Sequence, residues 1–516
     1  MQPGAPKYEP LHGGQLVLLT FVLALATFMQ VLDTTIANVS IPTIAGDLGV
    51  SPNQGTWVIT MFGVSNAIAL PLTGWLARRF GEVRLFVIST LLFSLASWLC
   101  GLAPTFELLV AGRILQGFAA GPMVPLSQSL LLANYPPEKK GLALSFWAMT
   151  TVVAPIMGPL LGGWITDDYS WPWIFYINVP VGLFAAFLTW RLLSQRETQM
   201  LKLPIDGIGL GLLVVGVGSL QYMLDKGNEL DWFGSTEIIV LAIVAVVALS
   251  FFIVWELTEE HPVVDLTLFR NRNFWTGTLA IALGYLAFMA GTVLFPLWLQ
   301  TAQGYTATWA GIASAPVGVM AVILSPIIGK NLHRLNLRVL STLAFMILGG
   351  CYLAMSHFNS QVDIGTLMLP RFVMGIGIAI FFVPLTTIIL SDIEPQRIAS
   401  AVGLSNFLRI LAGSIGTSIA TTLWERRTSL HHAQLTETAL PGMPGYDSFV
   451  QGLKALRVPD AAVNSQINLV LNREATMLAT SDVFWLMGCL FLALITMVWL
   501  TRPKSPAAGS APIIVD

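Results

Sequence analysis

Residues 15–42 read QLVLLTFVLALATFMQVLDTTIANVSIP, and Asp33 is the only charged residue in this stretch. The length and apolarity of the stretch predict a helix that crosses a lipid bilayer. A carboxylate placed in hydrocarbon costs roughly 2.5 kcal/mol or more unless it is paired, hydrated or protonated. We therefore expect Asp33 to belong to a functional site, and the other segments are considered in relation to it.

The composition of the whole chain agrees with this interpretation. Hydrophobic residues make up 55% and charged residues 10% of the chain, whereas soluble domains contain roughly 25% charged residues. This indicates a polytopic membrane protein and no nucleic-acid partner. The three cysteines, Cys100, Cys351 and Cys489, lie in apolar runs without metal-ligand spacing. We expect packing thiols and no metal site.

Length and hydropathy predict an all-α protein with fourteen membrane spans. An even number of spans places both termini on the same side of the membrane. The predicted limits are 15–40, 54–77, 85–103, 107–133, 141–166, 173–193, 206–224, 237–256, 274–300, 308–331, 337–356, 365–391, 398–424 and 482–501.

The distribution of basic residues predicts on which side of the membrane the termini lie. The loops on the side of the termini hold 17 Lys and Arg residues, and the short loops on the other side hold only Lys226. Cytoplasmic loops carry such an excess, so both termini are expected in the cytoplasm. The 17 residues are Lys7, Arg78, Arg79, Arg84, Lys139, Lys140, Arg191, Arg196, Lys202, Arg270, Arg272, Lys330, Arg334, Arg338, Arg397, Arg502 and Lys504.

An internal repeat divides the chain. Arg113 and Gly117 of the fourth span recur as Arg371 and Gly375 of the twelfth, and parallel repeats of this kind build alternating-access transporters. We predict a cytoplasmic segment at 1–14, six-helix bundles at 15–193 and 274–501, two inserted helices with linkers at 194–273, and a disordered cytoplasmic tail at 502–516. The second bundle includes an external loop at 425–481.

Four ordered stretches resemble a known family. They are LDTTIANVSIP at 32–42, RILQGFAAGPMVP at 113–125, APIMGPLLGG at 154–163 and WPWIFYINVP at 171–180. They are similar to motifs of the fourteen-span drug:proton antiporters of the major facilitator superfamily, and the resemblance is strongest to EmrB-type efflux pumps of Gram-negative bacteria. It covers almost the whole chain and implies the major facilitator fold, with two six-helix bundles and two inserted helices.

The resemblance assigns two further elements. The fifth-span motif implies a bend that seals an exporter against proton leak, and ordinary tight packing of small residues is the alternative. The loop GWLARRFGEVR at 74–84 matches the gating loop of the superfamily, with Arg78 where the family pattern usually has Asp. The motif residues are Pro155, Gly158, Pro159, Gly162 and Gly163, and the loop residues are Gly74, Arg79 and Gly81.

Asp33 and Arg113 are predicted to meet. Each lies eight or nine residues from the outer end of its span, so both lie about 12 Å below the outer surface. Pairing with Arg113 would let Asp33 remain ionised, and protonation would release Arg113 and bias the conformation. The alternatives are a permanent structural ion pair or a solvated acid, and Arg113 could also act as a proton relay or a helix clamp.

Other polar and soft side chains are candidates for a substrate cavity, although helix packing is as good an explanation for each one singly. Arg371 and Arg409 have no intramembrane acid in spans nine to thirteen. Two unpaired cations suggest a cavity that tolerates weakly acidic substrates, and structural hydrogen bonding is the alternative. The candidates are Met29, Gln30, Asn38, Phe62, Asn66, Gln128, Arg371 and Arg409.

These observations predict a secondary active exporter rather than an enzyme, because no phosphate-binding loop or nucleophile with a base is present. The expected substrates are hydrophobic or amphipathic toxic compounds, including drugs, uncouplers and fatty acids, exchanged for protons across the bacterial inner membrane. No cofactor is expected beyond the proton motive force. The resemblance implies a periplasmic adaptor and an outer-membrane channel as partners. A proton-coupled importer and a membrane sensor or channel are the alternatives.

Overall fold

The computed structural model describes residues 8–50, 52–201, 204, 206–440, 442–456 and 459–502, and within them every regular element is a helix. The predicted tail therefore lies almost entirely outside the described residues. The helices are α1 Gly13–Ile36, α2 Ile41–Asp47, α3 Pro52–Gly55, α4 Trp57–Phe80, α5 Glu82–Gly101, α6 Phe106–Ala120, α7 Met123–Asn134, α8 Lys140–Asp168, α9 Trp173–Tyr176, α10 Asn178–Leu193, α11 Gly207–Lys226, α12 Thr236–Thr258, α13 Arg272–Thr301, α14 Ala307–Ser314, α15 Pro316–Asn331, α16 Leu337–Met355, α17 Ile364–Ala379, α18 Phe382–Leu390, α19 Ile398–Thr438, α20 Pro444–Ala455 and α21 Asp460–Leu500.

The helices account for fourteen crossings of a membrane. In the described part of the chain, thirteen helical segments are long and apolar enough to span a bilayer. A fourteenth combines Pro137–Pro155 with Leu160–Asp168 at an angle of 47°. Several spans consist of consecutive helices, such as α6 with α7 and α17 with α18. The prediction of an all-α membrane protein with fourteen spans is confirmed on this basis.

The bend in α8 falls where the sequence places two prolines. Pro155 ends the first straight part of the helix, and Pro159 directly precedes the second part, which begins at Leu160. Proline has no backbone N–H and its ring displaces the carbonyl one turn earlier, so a helix kinks at such a position. The side chain of Pro159 lies outside the described residues.

The helices of the last two spans continue beyond the predicted span limits. The helix of the thirteenth span, α19, continues to Thr438, and the helix of the fourteenth, α21, begins at Asp460. Each has 41 residues, which gives a length of about 60 Å, twice the hydrocarbon thickness of a bilayer. Hydropathy detects only the part of a helix in lipid, whereas the helical hydrogen bonds continue through polar residues.

The two extensions form a hairpin that projects beyond the membrane. Trp424 donates from Nε1 to Thr480 Oγ1 at 2.9 Å, and His431 Nε2 lies 2.9 Å from Asp482 Oδ2. Farther out, His432 Nε2 lies 2.9 Å from Asn468 Oδ1. Most of the predicted external loop at 425–481 is therefore helical.

Helix contacts arrange the spans in two groups with α11 between them. In the first part of the chain α1 packs on α8 and α10, and α4 packs on α6. In the second part α13 packs on α19 and α21, and α15 packs on α17. The inserted helix α11 contacts its partner α12, and it also contacts α4 of the first group and α19 of the second.

The two groups approach closely at the end of the molecule where α4 ends and α5 begins, which we call the basic end because it carries Arg78, Arg79 and Arg84. A β-carbon added at Gly74 would lie 2.7 Å from Ser400 Cα. A β-carbon at Gly141 of α8 would lie 2.5 Å from the backbone oxygen of Gly329 in α15. Real β-carbons do not approach so closely, so the basic end is closed in this conformation.

This closure predicts the effect of one added methyl group. Gly329→Ala should lower the free energy of unfolding by about 1–3 kcal/mol, because the new β-carbon meets the backbone of Gly141 and the packed interface cannot absorb it. Gly350→Ala is the matched control, since no atom lies within 4 Å of that position. Thermal melting of the two purified variants in the same detergent measures the difference. Equal melting temperatures would contradict the closed interface.

Candidate functional site

Asp33 and Arg113 form a fully buried ion pair, as the sequence predicted. Asp33 lies near the end of α1 and Arg113 in the middle of α6. Arg113 Nη1 donates to Asp33 Oδ2 at 2.5 Å, and neither side chain is accessible to solvent. A charged donor and acceptor at this distance form a strong hydrogen bond. The functional role of the pair remains a prediction.

Two amides complete the surroundings of the carboxylate. Gln116 donates from Nε2 to Asp33 Oδ1 at 3.0 Å, and Asn178 donates from Nδ2 to the same oxygen at 2.7 Å. Both amides also donate to Ser97 Oγ, at 2.6 Å and 3.2 Å. The carboxylate thus accepts three hydrogen bonds, from α6 and α10, and Ser97 of α5 ties the two amides together.

Arg113 is held by groups other than its acid. Its Nε donates to the backbone oxygen of Val58 at 2.9 Å, and its Nη1 also donates to Gln116 Oε1 at 2.6 Å. The guanidinium carbon lies 4.2 Å from the ring centroid of Phe62 and 5.5 Å from that of Phe175. These contacts fix the cation even without Asp33, and aromatic faces stabilise a buried positive charge.

Sequence reasoning missed Gln116 and Asn178 as site residues. Gln116 follows Arg113 by three positions and therefore lies on the same face of α6, which is a signal that spacing alone supplies. Asn178 belongs to the quoted stretch WPWIFYINVP, but its contact with α1 depends on tertiary packing across 145 residues. Polar residues inside spans rarely face lipid, so Asn178 could have been nominated from that rule.

The site can hold or release one proton. Arg keeps its charge in proteins, whereas a carboxylate, which only accepts hydrogen bonds, gains one O–H donor on protonation and keeps part of its acceptor capacity. Protonating Asp33 would remove the charge that neutralises Arg113 and would change the donors and acceptors shared with Gln116 and Asn178. The described residues contain no group of three or more His, Cys, Asp or Glu side chains able to hold a metal ion.

The small residues of the fifth span pack on α1 beside the ion pair. A β-carbon at Gly158 would lie 2.8 Å from Thr35 Cβ, and one at Gly162 would lie 2.9 Å from Val39 Cγ2. Gly163 has no atom within 4 Å of its β-position. Pro155 is half-buried. Two of the three motif glycines therefore set the distance between α8 and the end of α1 that carries Asp33.

The gating loop is anchored by an acid from elsewhere in the chain. Gly81 has φ +85, and a β-carbon there would collide with Glu197. Glu197 accepts from the backbone N–H groups of Val83 at 3.0 Å and Arg84 at 2.8 Å, at the start of α5. A carboxylate at a helix N-terminus is stabilising. Glu197 thus brings a carboxylate from outside the loop to the start of α5. The Arg79 guanidinium carbon lies 5.4 Å from the Trp75 ring centroid.

The candidate residues for the substrate cavity differ in burial and in their contacts. Two buried amide oxygens, Gln30 Oε1 and Asn66 Oδ1, have no hydrogen-bond partner among the described residues. Phe62 packs on Arg113, and Asn38 is exposed. Gln128 Oε1 accepts from Asn406 Nδ2 at 3.4 Å and so connects the two halves. The buried members of the set are Met29, Gln30, Phe62, Asn66 and Gln128.

Arg371 and Arg409 are buried without an acid. In the described part of the chain neither forms a salt bridge, and Nε and Nη1 of both lack hydrogen-bond partners. The Arg371 guanidinium lies 4.4 Å from the ring centroid of Phe295. Three aromatic rings surround Arg409. They are Trp147 at 5.3 Å, Tyr285 at 5.0 Å and Phe382 at 5.6 Å.

Fourteen spans around a buried, charged interior define a membrane transporter rather than an enzyme. Comparison with known proteins places it in a family. The sequence profile described as Major Facilitator Superfamily matches residues 23–417. Multidrug export protein EmrB of Escherichia coli K12 is 52% identical over 504 residues, which cover 98% of each chain. Fatty acid resistance protein FarB of Neisseria gonorrhoeae is 49% identical over 97% of this chain and 99% of its own.

Solved structures agree on the fold. The crystal structure of the human organic anion transporter MFSD10 matches with a TM-score of 0.57 at 12% identity, covering 93% of this chain and all of the other. A bacterial homologue of the lysosomal transporter Spinster, inward-facing and unoccupied, matches with a TM-score of 0.52 at 15% identity, covering 95% and 98%. The chain belongs to the major facilitator superfamily and, within it, to the EmrB group of export proteins.

The contact between α8 and α1 predicts different outcomes for two neighbouring glycines. Gly158→Ala should reduce ethidium efflux from cells at least about fivefold, because the added methyl group overpacks the Thr35 contact by about 1–3 kcal/mol. Gly163→Ala, with open space at its β-position, should stay within about twofold of wild type. If both variants behave alike at equal membrane abundance, the position of α8 against Asp33 does not govern transport.

Proposed function

We propose that this protein is a proton-coupled antiporter that exports hydrophobic and amphipathic toxic compounds across the bacterial inner membrane. The observation that carries the proposal is the buried pair of Asp33 and Arg113, with a hydrogen bond at 2.5 Å. A buried carboxylate in a membrane is expensive to keep, and such residues mark proton and substrate pathways. The driving force is the proton motive force, and no cofactor is required.

Coupling follows from the charge balance of the site. With Asp33 ionised, Arg113 is neutralised, and α1, α6 and α10 are held together through the carboxylate. Protonation leaves Arg113 as a net charge and weakens that connection. The two conformations of the transporter then differ in proton affinity, which is the condition for proton binding to shift their populations. Because α8 packs on α1 beside Asp33, a change at the site is passed to α8.

The substrate range is inferred from the candidate cavity residues predicted from the sequence and from the relatives. Met29 and aromatic side chains such as Phe62 adapt to apolar molecules of different shape. The relatives described above are named for multidrug export and for fatty acid resistance. Drugs, uncouplers and fatty acids share a large apolar part, and we propose this class as the substrates.

The orientation and the partners belong to the same proposal. The excess of Lys and Arg in the loops at the basic end supports a cytoplasmic location for that end and for both termini. The hairpin of α19 and α21 then projects into the periplasm. A rigid helical hairpin with α20 at its tip offers a platform for a periplasmic adaptor, which would pass substrate to an outer-membrane channel.

The role of Asp33 is tested by proton movement in everted membrane vesicles. In vesicles acidified by respiration, adding ethidium should release protons through the wild-type chain and restore the fluorescence of a pH-sensitive dye. Asp33→Asn should abolish this recovery while ethidium binding to the purified protein stays within about threefold, because the amide cannot carry a proton.

Asp482→Asn is the control, since this acid lies on the hairpin and is 38% exposed. Normal proton release by the Asp33 variant would make the residue structural and move coupling elsewhere. If the wild-type chain responds to no dye, drug or hydrophobic weak acid, the export proposal itself is wrong.

The adaptor platform predicts a defect that appears only in intact cells. Leu469 of α21 is 61% exposed on the hairpin. Leu469→Arg should lower drug resistance of cells at least about fourfold, because a charge in an interface core disfavours association, while ethidium transport in vesicles is unchanged. Asn464→Arg, an exposed polar position on a different face of α21, should leave resistance intact. Full resistance in cells that lack the adaptor would refute the partnership.

A further inference from the structure

We infer that a pocket at Arg409, between the two halves of the transporter, binds the carboxylate of amphipathic acids. The inference rests on the proposed export function and assigns one ligand chemistry to one place. The pocket is lined by Gln128 and Trp147 from the first half and by Thr386, Asn406 and Arg409 from the second. Substrate sites of such transporters lie between the repeats.

The pocket lies near the middle of the membrane. Arg409 follows the first residue of α19, Ile398, by about 11 positions, which corresponds to about 16 Å along the helix. The hydrocarbon core of a bilayer is about 30 Å thick. A positive charge at this depth that serves no ligand would be costly, so its position calls for an anion or a polar partner.

Three buried nitrogen atoms at the pocket have no hydrogen-bond acceptor among the described residues. Arg409 is 4% exposed, and its Nε and Nη1 have no partner among the described residues. Trp147 is 2% exposed, and its Nε1 also has no partner. These three nitrogen atoms carry four N–H groups. They belong to two side chains in contact, since the Arg409 guanidinium carbon lies 5.3 Å from the Trp147 ring centroid. Buried donors without acceptors carry a desolvation penalty that a ligand oxygen would remove.

The aromatic rings do not replace that ligand. Trp147, Tyr285 and Phe382 stabilise the positive charge through ring faces. They accept no conventional hydrogen bond from the N–H groups in the guanidinium plane. A carboxylate accepts two parallel hydrogen bonds from that plane, which is the arrangement Arg prefers. The charge of Arg409 is thereby matched by an anion rather than by a neutral or cationic group.

The remaining lining residues of the pocket suit the apolar part of an amphipathic acid. Ile281, Ile389 and Val402 contribute apolar surface to the same pocket. The free space there is about 10 Å³ for the centres of water-sized molecules, which holds about one water. The pocket therefore has to widen before a substrate enters, and its lining by both halves means that their separation would widen it.

The three buried arginines of the described residues differ in whether a ligand could reach an unpaired guanidinium. Arg113 is neutralised by Asp33. Arg371 lies over Phe295, and the pocket between the halves does not include it. Arg409 alone among these three combines an unpaired guanidinium with a pocket shared by both halves.

Binding of radiolabelled dodecanoate to the detergent-purified full-length chain tests the inference, with methyl dodecanoate as the uncharged probe. Arg409→Gln should weaken dodecanoate binding at least about tenfold, since hydrogen bonds to charged groups are among the strongest, and should leave binding of the ester within about twofold. Arg409→Lys should fall between Arg409→Gln and wild type, because it keeps the charge without the planar fork.

A second pair of variants keeps the test valid if Arg409→Gln does not fold. Trp147→Phe removes one N–H and keeps the ring, and it should weaken dodecanoate binding about threefold or more by loss of a hydrogen bond. Trp298→Phe is the control, because Trp298 Nε1 is also buried without a partner but lies outside the pocket.

The failure of this inference is distinct from the failure of the export function. Equal dodecanoate binding by wild type and Arg409→Gln, or no preference of wild type for dodecanoate over its ester, would overturn the carboxylate site. Neither result depends on a proton gradient. Absence of ethidium-driven proton release by the wild-type chain would overturn the export function and would leave the binding result unchanged.

Discussion

The first half of the protein is built around the need to hold the carboxylate of Asp33 inside a membrane. An isolated carboxylate there is too costly, so its partners have to come from other helices. Arg113 of α6, Gln116 of α6 and Asn178 of α10 reach it from two sides. Arg113 is in turn fixed by Val58 of α4. One buried charge therefore specifies how α1, α4, α6 and α10 pack together, in addition to their apolar contacts.

The second half repeats the cation without the acid. Arg371 occupies the position equivalent to Arg113, yet it contacts Phe295 rather than a carboxylate. Arg409 adds a second unpaired cation near the interface. Among the described residues the halves differ in electrostatics, since the first pairs Arg113 with Asp33 and the second leaves Arg371 and Arg409 without a carboxylate partner. This asymmetry suits a transporter that binds protons in one half and an acidic substrate at the boundary of the other.

Local sequence patterns predicted the spans and the pair of Asp33 and Arg113, because apolar length and depth along a helix are properties of short segments. They did not predict the contact of Arg409 with Trp147, which joins helices from different halves. They also did not show how far α19 and α21 continue beyond their spans, since the extensions are stabilised by polar contacts such as His431 with Asp482. Asn178 stood in a recognised motif, but its target on α1 depends on the packed bundle.

Helix α8 contacts the closed basic end, the pocket at Arg409 and the site of Asp33. Near one end Gly141 meets Gly329 and closes the basic end, and one turn and a half farther Trp147 lines the pocket with Arg409. Within the bend of 47°, between Pro155 and Leu160, Gly158 packs on Thr35, two residues from Asp33. Packed helices shift as units rather than deforming continuously. A displacement of α1 against α8 on protonation of Asp33 would therefore move Trp147 and the contact at Gly329 together, so that proton binding, pocket width and closure change in one step.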